Sequence, residues 1–141
     1  MHPMSRPEAV AFLSAGTRTG KLATATPEGR PHVAPVWFLV DGDDLVFTTG
    51  EDTAKGKHLR ANPRASLAVD DQAFPYSFVV VRGPVSLDPS PPDRLDWTTR
   101  LAARYVPAGM AAEYGERNDA DGELLVRLHM DRVVGRAELA H

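Results

Sequence analysis

The stretch that decides the fold is LVFTTGEDTAKGKHLRANPR, at residues 45–64. Its first part, Leu45–Thr49, is apolar, aromatic or β-branched throughout and predicts a β-strand. A glycine ends this run, and Glu51 and Asp52 are suited to cap a helix over Thr53–Ala61. A proline two positions further on limits the length of that helix. The stretch therefore predicts a strand that leads directly into a short helix.

Four cations and no acidic residue lie in the second half of this stretch, at Lys55, Lys57, Arg60 and Arg64. A strand end with two threonine hydroxyls, the start of a helix and clustered cations together favour an anion. We therefore interpret residues 45–64 as a candidate anion cradle. A solvated basic helix face is the alternative, and the composition of the stretch does not exclude it.

The bulk properties restrict the classes of protein that need to be considered. At 141 residues we expect one domain, spanning 1–141, that buries roughly two-thirds of its unfolded surface. The net charge of −3 gives no overall attraction to nucleic acid. The absence of cysteine excludes disulfides and thiol catalysis. The N-terminal MHPMSRPEAV lacks a signal-peptide core and no long apolar run occurs, so we expect a soluble cytoplasmic protein with no membrane partner.

A hairpin precedes the deciding stretch. The strands Leu22–Thr26 and His32–Val40 are joined by residues 27–30, whose Pro-Glu-Gly-Arg sequence suits a turn. Pro35 cannot donate a hydrogen bond within a sheet, so it predicts either an edge strand or a bulge. A bulge would turn backbone groups toward a flat ligand, whereas an edge kink has only a structural role. Residues 41–43 then turn the chain into the strand at 45–49.

Helices are expected at three further places. Ser5 and Glu8 fit a capping box for a helix over Pro7–Ala15. A second helix is expected over Asp93–Tyr105, with Leu95 and its apolar neighbours facing the body. A third, short helix is expected over residues 107–114, followed by a polar loop.

The strands make the protein mainly β. The remaining ones are expected at Ala65–Val69, at Tyr76–Leu87 with a break at Gly83-Pro84, at Leu124–Met130 and at Val133–Leu139. About seven antiparallel strands with short helices between them exclude a parallel, doubly wound sheet. A small antiparallel barrel fits this chain length better than two stacked sheets.

Catalytic motifs are missing from the sequence. The five histidines, at 2, 32, 58, 129 and 141, show no metal-ligand spacing, so we predict no metal site. There is no G-x-S-x-G nucleophile motif, and the catalytic residues stay unknown. Any redox chemistry would have to come from a bound organic cofactor.

Four segments in order carry a family resemblance that covers nearly the whole chain. They are KLATATPEGRPHVAPVWF at 21–38, FTTGEDTAKGKHLRANPRASL at 47–67, VVVRGPVSL at 79–87 and DRVVGRAEL at 131–139. Together they resemble the pyridoxamine 5'-phosphate oxidase-like split-barrel flavoproteins, and within them the F420-dependent (deazaflavin) reductases. The resemblance implies an antiparallel split β-barrel of the FMN-binding type. It also implies a homodimer with two equivalent cofactor sites at the dimer interface.

The resemblance also implies a set of cofactor-binding residues. The backbone of the strand formed by Ala34, Pro35, Val36 and Trp37 would lie along the tricyclic ring, and the remaining positions would hold the ribityl chain and the phosphate: Thr48, Thr49, Gly50, Thr53, Lys55 and Lys57. Among the latter, Lys55 matches the phosphate-binding lysine of the family. Thr53 stands where many relatives have arginine or serine, which weakens its assignment.

The implied function is hydride transfer between coenzyme F420 and an unsaturated organic substrate such as a quinone, an enone or a bilin-like molecule. Lys57, Arg60 and Arg64 offer positive charge for the oligoglutamate tail of that cofactor. Two alternatives stay open: an oxidoreductase that uses FMN, and a non-catalytic carrier of a cofactor or tetrapyrrole. The substrate itself is not readable from the sequence.

Overall fold

Residues 1–140 are described by a computed structural model. Strands and helices alternate along the chain as β1 (His2–Pro3), α1 (Arg6–Ser14), β2 (Gly20–Ala25), β3 (Pro31–Val36), β4 (Leu39–Asp41), β5 (Asp44–Gly50), α2 (Ala54–Ala61), β6 (Arg64–Asp71), β7 (Ser77–Asp88), α3 (Arg94–Tyr105), α4 (Ala111–Asn118), β8 (Glu123–His129) and β9 (Arg132–Ala137).

The strands form a curled, fully antiparallel half-barrel with the order β3-β2-β6-β7-β8-β5-β4, and β9 pairs with β7 and β1. This confirms the predicted mainly β, split-barrel architecture. Strand β7 belongs to both halves: residues 77–84 pair with β6, and residues 85–88 pair with β8. Gly83 lies at this change of partner, and a Cβ atom there would overlap the carbonyl oxygen of His129. The predicted break at Gly83-Pro84 is therefore a change of partner within one continuous strand.

The barrel interior is filled by aliphatic and aromatic side chains from both halves. Its largest fully buried members include Phe38, Phe47, Leu13, Leu22 and Leu59. Leu13 comes from α1, whose capping box between Ser5 and Glu8 is present as predicted. Leu59 comes from α2, so burial of one apolar side chain holds this otherwise polar helix on the barrel.

The predicted strand His32–Val40 is wrong as a single element. Strand β3 ends at Val36, and β4 begins at Leu39 in the other half of the barrel. Between them, the backbone of Phe38 bonds to α3 instead of a strand: its N–H donates to the hydroxyl of Tyr105 at 3.4 Å, and its carbonyl accepts from Arg104 at 2.7 Å. These partners are distant in the sequence, so the local pattern contained no sign of the break.

Pro35 lies on an edge strand, as one of its two interpretations predicted. Strand β3 ends the strand order and pairs on one side with β2 in a continuous one-to-one register. No bulge interrupts that register, so the bulge alternative is wrong.

Three smaller expectations also need correction. The described residues contain nine strands instead of about seven, because β1 and the separate β4 were not foreseen. The helix expected at 107–114 lies at Ala111–Asn118, where it replaces part of the predicted loop. Leu95 is 46% exposed and does not face the body.

None of the helices in residues 1–140 has the length and apolar character needed to cross a membrane.

Candidate functional site

A cavity of about 310 Å³ opens where β3, the end of β5 and the start of α2 meet, with α3, α4 and the start of β8 on its other side. Its wall consists of Pro35, Val36, Trp37, Thr48, Thr49, Gly50, Thr53, Lys55, Thr98, Leu101, Asn118 and Glu123. One adjoining hollow shares Pro35, Val36 and Trp37 with the cavity at its apolar end, and another shares Gly50, Thr53 and Glu123 at its polar and charged end.

Eight of the ten residues expected at a cofactor site line this cavity: Pro35, Val36, Trp37, Thr48, Thr49, Gly50, Thr53 and Lys55. The other two do not. Ala34 lies opposite Leu22 in the hairpin, outside the cavity wall. Lys57 is exposed on α2, two positions past Lys55, and does not line the cavity.

The apolar end is formed by β3 and α3. The indole of Trp37 stacks on the ring of Tyr105, with ring centroids 5.3 Å apart and planes 7° from parallel. The hydroxyl of Tyr105 donates to the carbonyl of Arg18 at 3.0 Å, which fixes the ring from behind. Burial raises the pKa of this phenol above its usual value. The Tyr105 phenol therefore keeps the proton that it donates. Because Trp37 stacks on this fixed ring, its indole forms a flat apolar wall in one orientation.

Lys55 and the first turn of α2 form the polar end of the cavity, here called the anion-binding end for the donors that it offers. The backbone N–H groups of Ala54 and Lys55 have no hydrogen-bond partner within residues 1–140, as is usual in a first helical turn. In the same range, no carboxylate oxygen lies within 4.0 Å of the Lys55 ammonium. An ammonium and two free N–H donors at a helix N-terminus are suited to hold a phosphate.

The hydroxyl of Thr53 is already fully used within the fold. It donates to the carbonyl of Gly50 at 2.7 Å and accepts from the N–H of Gly56 at 3.1 Å, as the N-cap of α2. Its remaining lone pair accepts from the buried hydroxyl of Thr49, 3.1 Å away. The helix is therefore capped by Thr53, and the expectation that Glu51 or Asp52 caps it is wrong. Thr53 and Thr49 shape the anion-binding end without a free hydroxyl.

Contact between α2 and β5 fixes the position of Lys55. Gly56 lies so close to the end of β5 that a Cβ atom would overlap the carbonyl oxygen of Gly50. Only glycine allows this approach. The start of the helix is therefore held directly against the strand end.

Four wall residues were not foreseen as site residues: Thr98, Leu101, Asn118 and Glu123. They belong to the chain between β7 and β8 and to the first position of β8. The hydroxyl of Thr98 is used in joining α3 to α4, since it donates to the carbonyl of Gly115 at 2.7 Å. Asn118 and Glu123 lie in or next to the stretch that the sequence presented only as a polar loop, which gave no signal for either.

One ion pair holds this second wall in place. The guanidinium of Arg94 donates from Nε to the carboxylate of Asp119 at 2.7 Å and from Nη1 to the backbone carbonyl of Glu123 at 3.2 Å. Both groups of the ion pair are mostly shielded, with side-chain exposures of 16% and 29%. The start of α3, the end of α4 and the start of β8 are thereby joined at one point.

An antiparallel split barrel with an aromatic wall and an anion-binding helix start in one cavity defines a class, the split-barrel proteins that bind flavin-type cofactors. The family model described as pyridoxamine 5'-phosphate oxidase matches residues 5–138 of this chain. The chain therefore belongs to the pyridoxamine 5'-phosphate oxidase family.

Among proteins of known function, the pyridoxine/pyridoxamine 5'-phosphate oxidase of Sphingopyxis alaskensis is 49% identical to this chain over 47 residues. That match covers 33% of this chain and 22% of the relative, so it spans about a fifth of the curated protein.

Three solved structures share the fold over most of the chain. A conserved hypothetical protein from Mycobacterium tuberculosis is 24% identical, with a TM-score of 0.76 over 92% of this chain and 82% of its own. A structure titled F420 reductase is 27% identical, with a TM-score of 0.67 over 86% of this chain and 93% of its own. A FAD-binding protein from Mesorhizobium loti is 23% identical, with a TM-score of 0.72 over 95% and 93%. Two of these neighbours are named for a cofactor, one for F420 and one for FAD.

Proposed function

We propose that this chain is an oxidoreductase that binds a phosphate-bearing flavin-type cofactor in the cavity described above, and that this cofactor is coenzyme F420. The observation that carries the proposal is the arrangement of the cavity itself. Trp37 offers a flat aromatic wall at one end, and Lys55 with the start of α2 offers an anion-binding corner at the other. A tricyclic ring joined by a ribityl chain to a phosphate has the same order of chemical groups.

The residues present fit such a cofactor. Lys55 and the free N–H groups of α2 would hold the phosphate through charge-assisted hydrogen bonds, each contributing about 1.5–3 kcal/mol. The ribityl hydroxyls would meet Thr48 and Asn118, whose side chains make no hydrogen bond within residues 1–140. Pro35, Val36 and Trp37 would lie along the ring.

The protein's part in the reaction is positioning. A bound deazaflavin supplies hydride transfer to an unsaturated acceptor placed beside its ring. The stacked pair of Trp37 and Tyr105 holds the ring plane, while Lys55 fixes the phosphate and hence the position of the ring along the cavity. Leu101 and Val36 exclude water from the apolar end. Orientation of this kind accounts for a large share of rate acceleration in two-substrate reactions.

Two features support coenzyme F420 over FMN. The structure titled F420 reductase has the highest sequence identity of the three structural neighbours described here. In addition, Lys57 and Arg60 are exposed on α2 beyond the cavity wall, where an anionic tail leaving the phosphate would meet positive charge.

Titration of the purified apo-protein with coenzyme F420 and with FMN tests this proposal. Tighter binding of F420, followed by its hydride-dependent reduction of a quinone or an enone, is the expected result. Tighter binding of FMN, or a yellow protein that releases flavin on denaturation, would show that the cofactor is FMN and not F420. Failure of both cofactors to bind would remove the proposed function.

A homodimer is part of the same proposal. The cavity is small for a whole cofactor, since about 310 Å³ is at the lower end of the range for ligand sites. It opens beside the edge strand β3, where Val33 is 66% exposed. A second copy packed against this edge would cover Val33 and complete the cavity. Analytical ultracentrifugation of the protein, with and without the cofactor, measures this directly.

The second candidate function is a non-catalytic carrier of the same cofactor. It is favoured by the chemistry of the cavity wall, where none of the described lining residues is a serine, cysteine or histidine. A carrier would bind reduced F420 without ever passing its hydride on. Steady oxidation of reduced F420 by a quinone, an enone or biliverdin would rule it out.

A further inference from the structure

Glu123 places a carboxylate in the same cavity as the candidate phosphate-binding lysine. It is the first residue of β8 and lies opposite Gly50, the last residue of β5. Its Oε1 atom is 3.6 Å from the point where a Cβ of Gly50 would lie, so the carboxylate covers that glycine. Lys55 lines the cavity beside it.

Within residues 1–140, no cation forms an ion pair with this carboxylate. The guanidinium of Arg94 reaches this residue, but it donates to the carboxylate of Asp119 and to the backbone carbonyl of Glu123. Lys55 lies more than 4.0 Å away, close enough to act through space but not to form an ion pair. Burial raises the pKa of Glu123, and the charges of Arg94 and Lys55 only partly oppose this.

The surroundings of Glu123 add further negative charge. A hollow adjoining the cavity is lined by Glu123 together with Glu51, Asp52 and Asp121, which reach it from the loops before α2 and β8. Thus four carboxylates and one ammonium, Lys55, line the cavity and the hollow that adjoins it. A second negative charge on the bound phosphate meets repulsion there, whereas a first is balanced by Lys55.

This distinction separates the two candidate cofactors. The phosphate of FMN is a monoester and carries between one and two negative charges near neutral pH, with a second pKa of about 6. The phosphate of coenzyme F420 joins the ribityl chain to the lactyl tail, so it is a diester with a single charge at any neutral pH.

We propose that Glu123 is a specificity-determining residue that makes the cavity favour phosphodiesters over phosphomonoesters. This inference rests on the proposed function, because it concerns the same cavity and the same phosphate. It goes beyond that function in assigning the choice between cofactors to one carboxylate that discriminates by repulsion, instead of to contacts with the ring or the tail.

The test compares two ligands that differ only in phosphate charge. Both carry the deazaflavin ring and the ribityl chain: one ends in a phosphate monoester, and the other in the methyl diester of that phosphate. Neither has a glutamate tail, so Lys57 and Arg60 do not bias the comparison. Dissociation constants are measured at pH 8, where the monoester is a dianion, for the wild type, Glu123→Gln and Asp121→Asn.

The expected result is a change in the ratio of the two dissociation constants, monoester over diester. In Glu123→Gln this ratio falls by at least about five-fold, the lower limit for removing one adjacent unit charge in a well-solvated setting. Asp121→Asn removes the same charge from the exposed rim, and its ratio changes by less than about two-fold because solvent screens it.

The outcomes separate the two claims. Equal ratios in the wild type and Glu123→Gln, with both ligands bound, would overturn this inference and leave the proposed function standing. Equal effects of Asp121→Asn and Glu123→Gln would also overturn it, since the discrimination would then come from the general field of the rim. No binding of either ligand to any of the three proteins would overturn both claims. Melting temperatures show that each variant is folded before the ratios are compared.

Discussion

The indole ring of Trp37 lies 5.3 Å from the ring of Tyr105 in a nearly parallel stack, and this pair connects the cavity to α3. Trp37 belongs to the junction between β3 and β4, whereas Tyr105 is the last residue of α3. Because the Tyr105 hydroxyl is hydrogen-bonded to the backbone of Arg18, the stack has little freedom to move. The flat wall of the cavity is thus formed before any ligand arrives.

Replacement of Trp37 should weaken binding of the ring and not of the phosphate. Trp37→Ala is expected to lower the affinity for a tricyclic ligand without phosphate by roughly three- to ten-fold, the value of one aromatic contact. Tyr105→Phe is the matched control, because it keeps the stacked ring and loses only the hydroxyl. Fluorescence titration with riboflavin and with the deazaflavin riboside measures both. Equal affinities in the wild type and Trp37→Ala would show that the ring does not bind against this wall.

Replacement of Lys55 should weaken binding of the phosphate and leave the fold intact. Lys55→Ala is expected to cost about 1.5–3 kcal/mol of binding energy, roughly ten- to a hundred-fold in dissociation constant. Lys57→Ala is the control on the same helix, since Lys57 lies outside the cavity wall and should have a smaller effect. Melting temperatures should barely change in either variant. If Lys55→Ala binds the cofactor as tightly as the wild type, the basic cluster is a solvated surface.

Gly56 should not tolerate a side chain. Gly56→Ala adds a methyl group that would overlap the carbonyl oxygen of Gly50, and that atom is part of the backbone and cannot rotate away. We expect a loss of about 1–3 kcal/mol in unfolding free energy from overpacking, despite the higher helix propensity of alanine. Phosphate affinity should fall as well, because displacement of α2 moves Lys55. Urea denaturation checks the first effect, with Arg60→Ala as an exposed control on α2. A more stable Gly56→Ala would contradict the close contact.

Replacement of Arg104, a partly exposed residue, should lower the unfolding free energy strongly. Its guanidinium donates to the carbonyl of Leu13 at 2.7 Å, to that of Phe38 at 2.7 Å and to that of Gly16 at 3.1 Å. Arg104→Ala leaves these acceptors without their charged donor and should cost about 2–4 kcal/mol. Arg104→Lys should recover little, because one ammonium cannot span three carbonyls. Unfolding free energies from denaturant titration measure both, and full rescue by lysine would show that charge alone matters.

The stability effect of Glu123 should depend on pH with a defined sign. Burial raises the pKa of this carboxyl above its ordinary value of 4.5, so the folded state favours the protonated form. The associated stability is complete below about pH 4.5 and is lost as the pH rises through the higher folded value. The melting temperature of Glu123→Gln should therefore equal that of the wild type near pH 4 and exceed it at pH 7. A constant difference across this range would show that charge is not the cause.

Local signals in the sequence predicted much of the barrel. The capping box of Ser5 and Glu8 marked α1, and the Pro-Glu-Gly-Arg turn at 27–30 marked the hairpin of β2 and β3. The break at Trp37–Phe38 could not be predicted, because the hydrogen bonds that cause it come from Arg104 and Tyr105. Strand boundaries of this kind depend on partners from elsewhere in the chain.

The predictable part of the site is the part whose residues lie close together in the sequence. Thr48, Gly50 and Lys55 lie close together in the sequence, so the strand end followed by a basic helix start predicted an anion cradle. Glu123 joins them only through the pairing of β8 with β5, which sets it opposite Gly50. A glutamate in a polar loop carries no sign of such a neighbour. The sequence therefore indicated the cationic part of the cavity, at Lys55, and not the carboxylate of Glu123 beside it.

The wall supplied by α3 and α4 has a consequence for how such proteins diversify. Strands β7 and β8 pair directly with each other, from Val85 opposite Leu128 to Asp88 opposite Leu125, and the two helices form an excursion between them. The excursion is held by the hydrogen bonds of Arg94 and Arg104 and by Trp97, which packs in a buried cluster with Val46 and Leu125. Such a segment can change in sequence and length without breaking the pairing of β7 with β8, so the wall that it gives the cavity can vary while the barrel is kept.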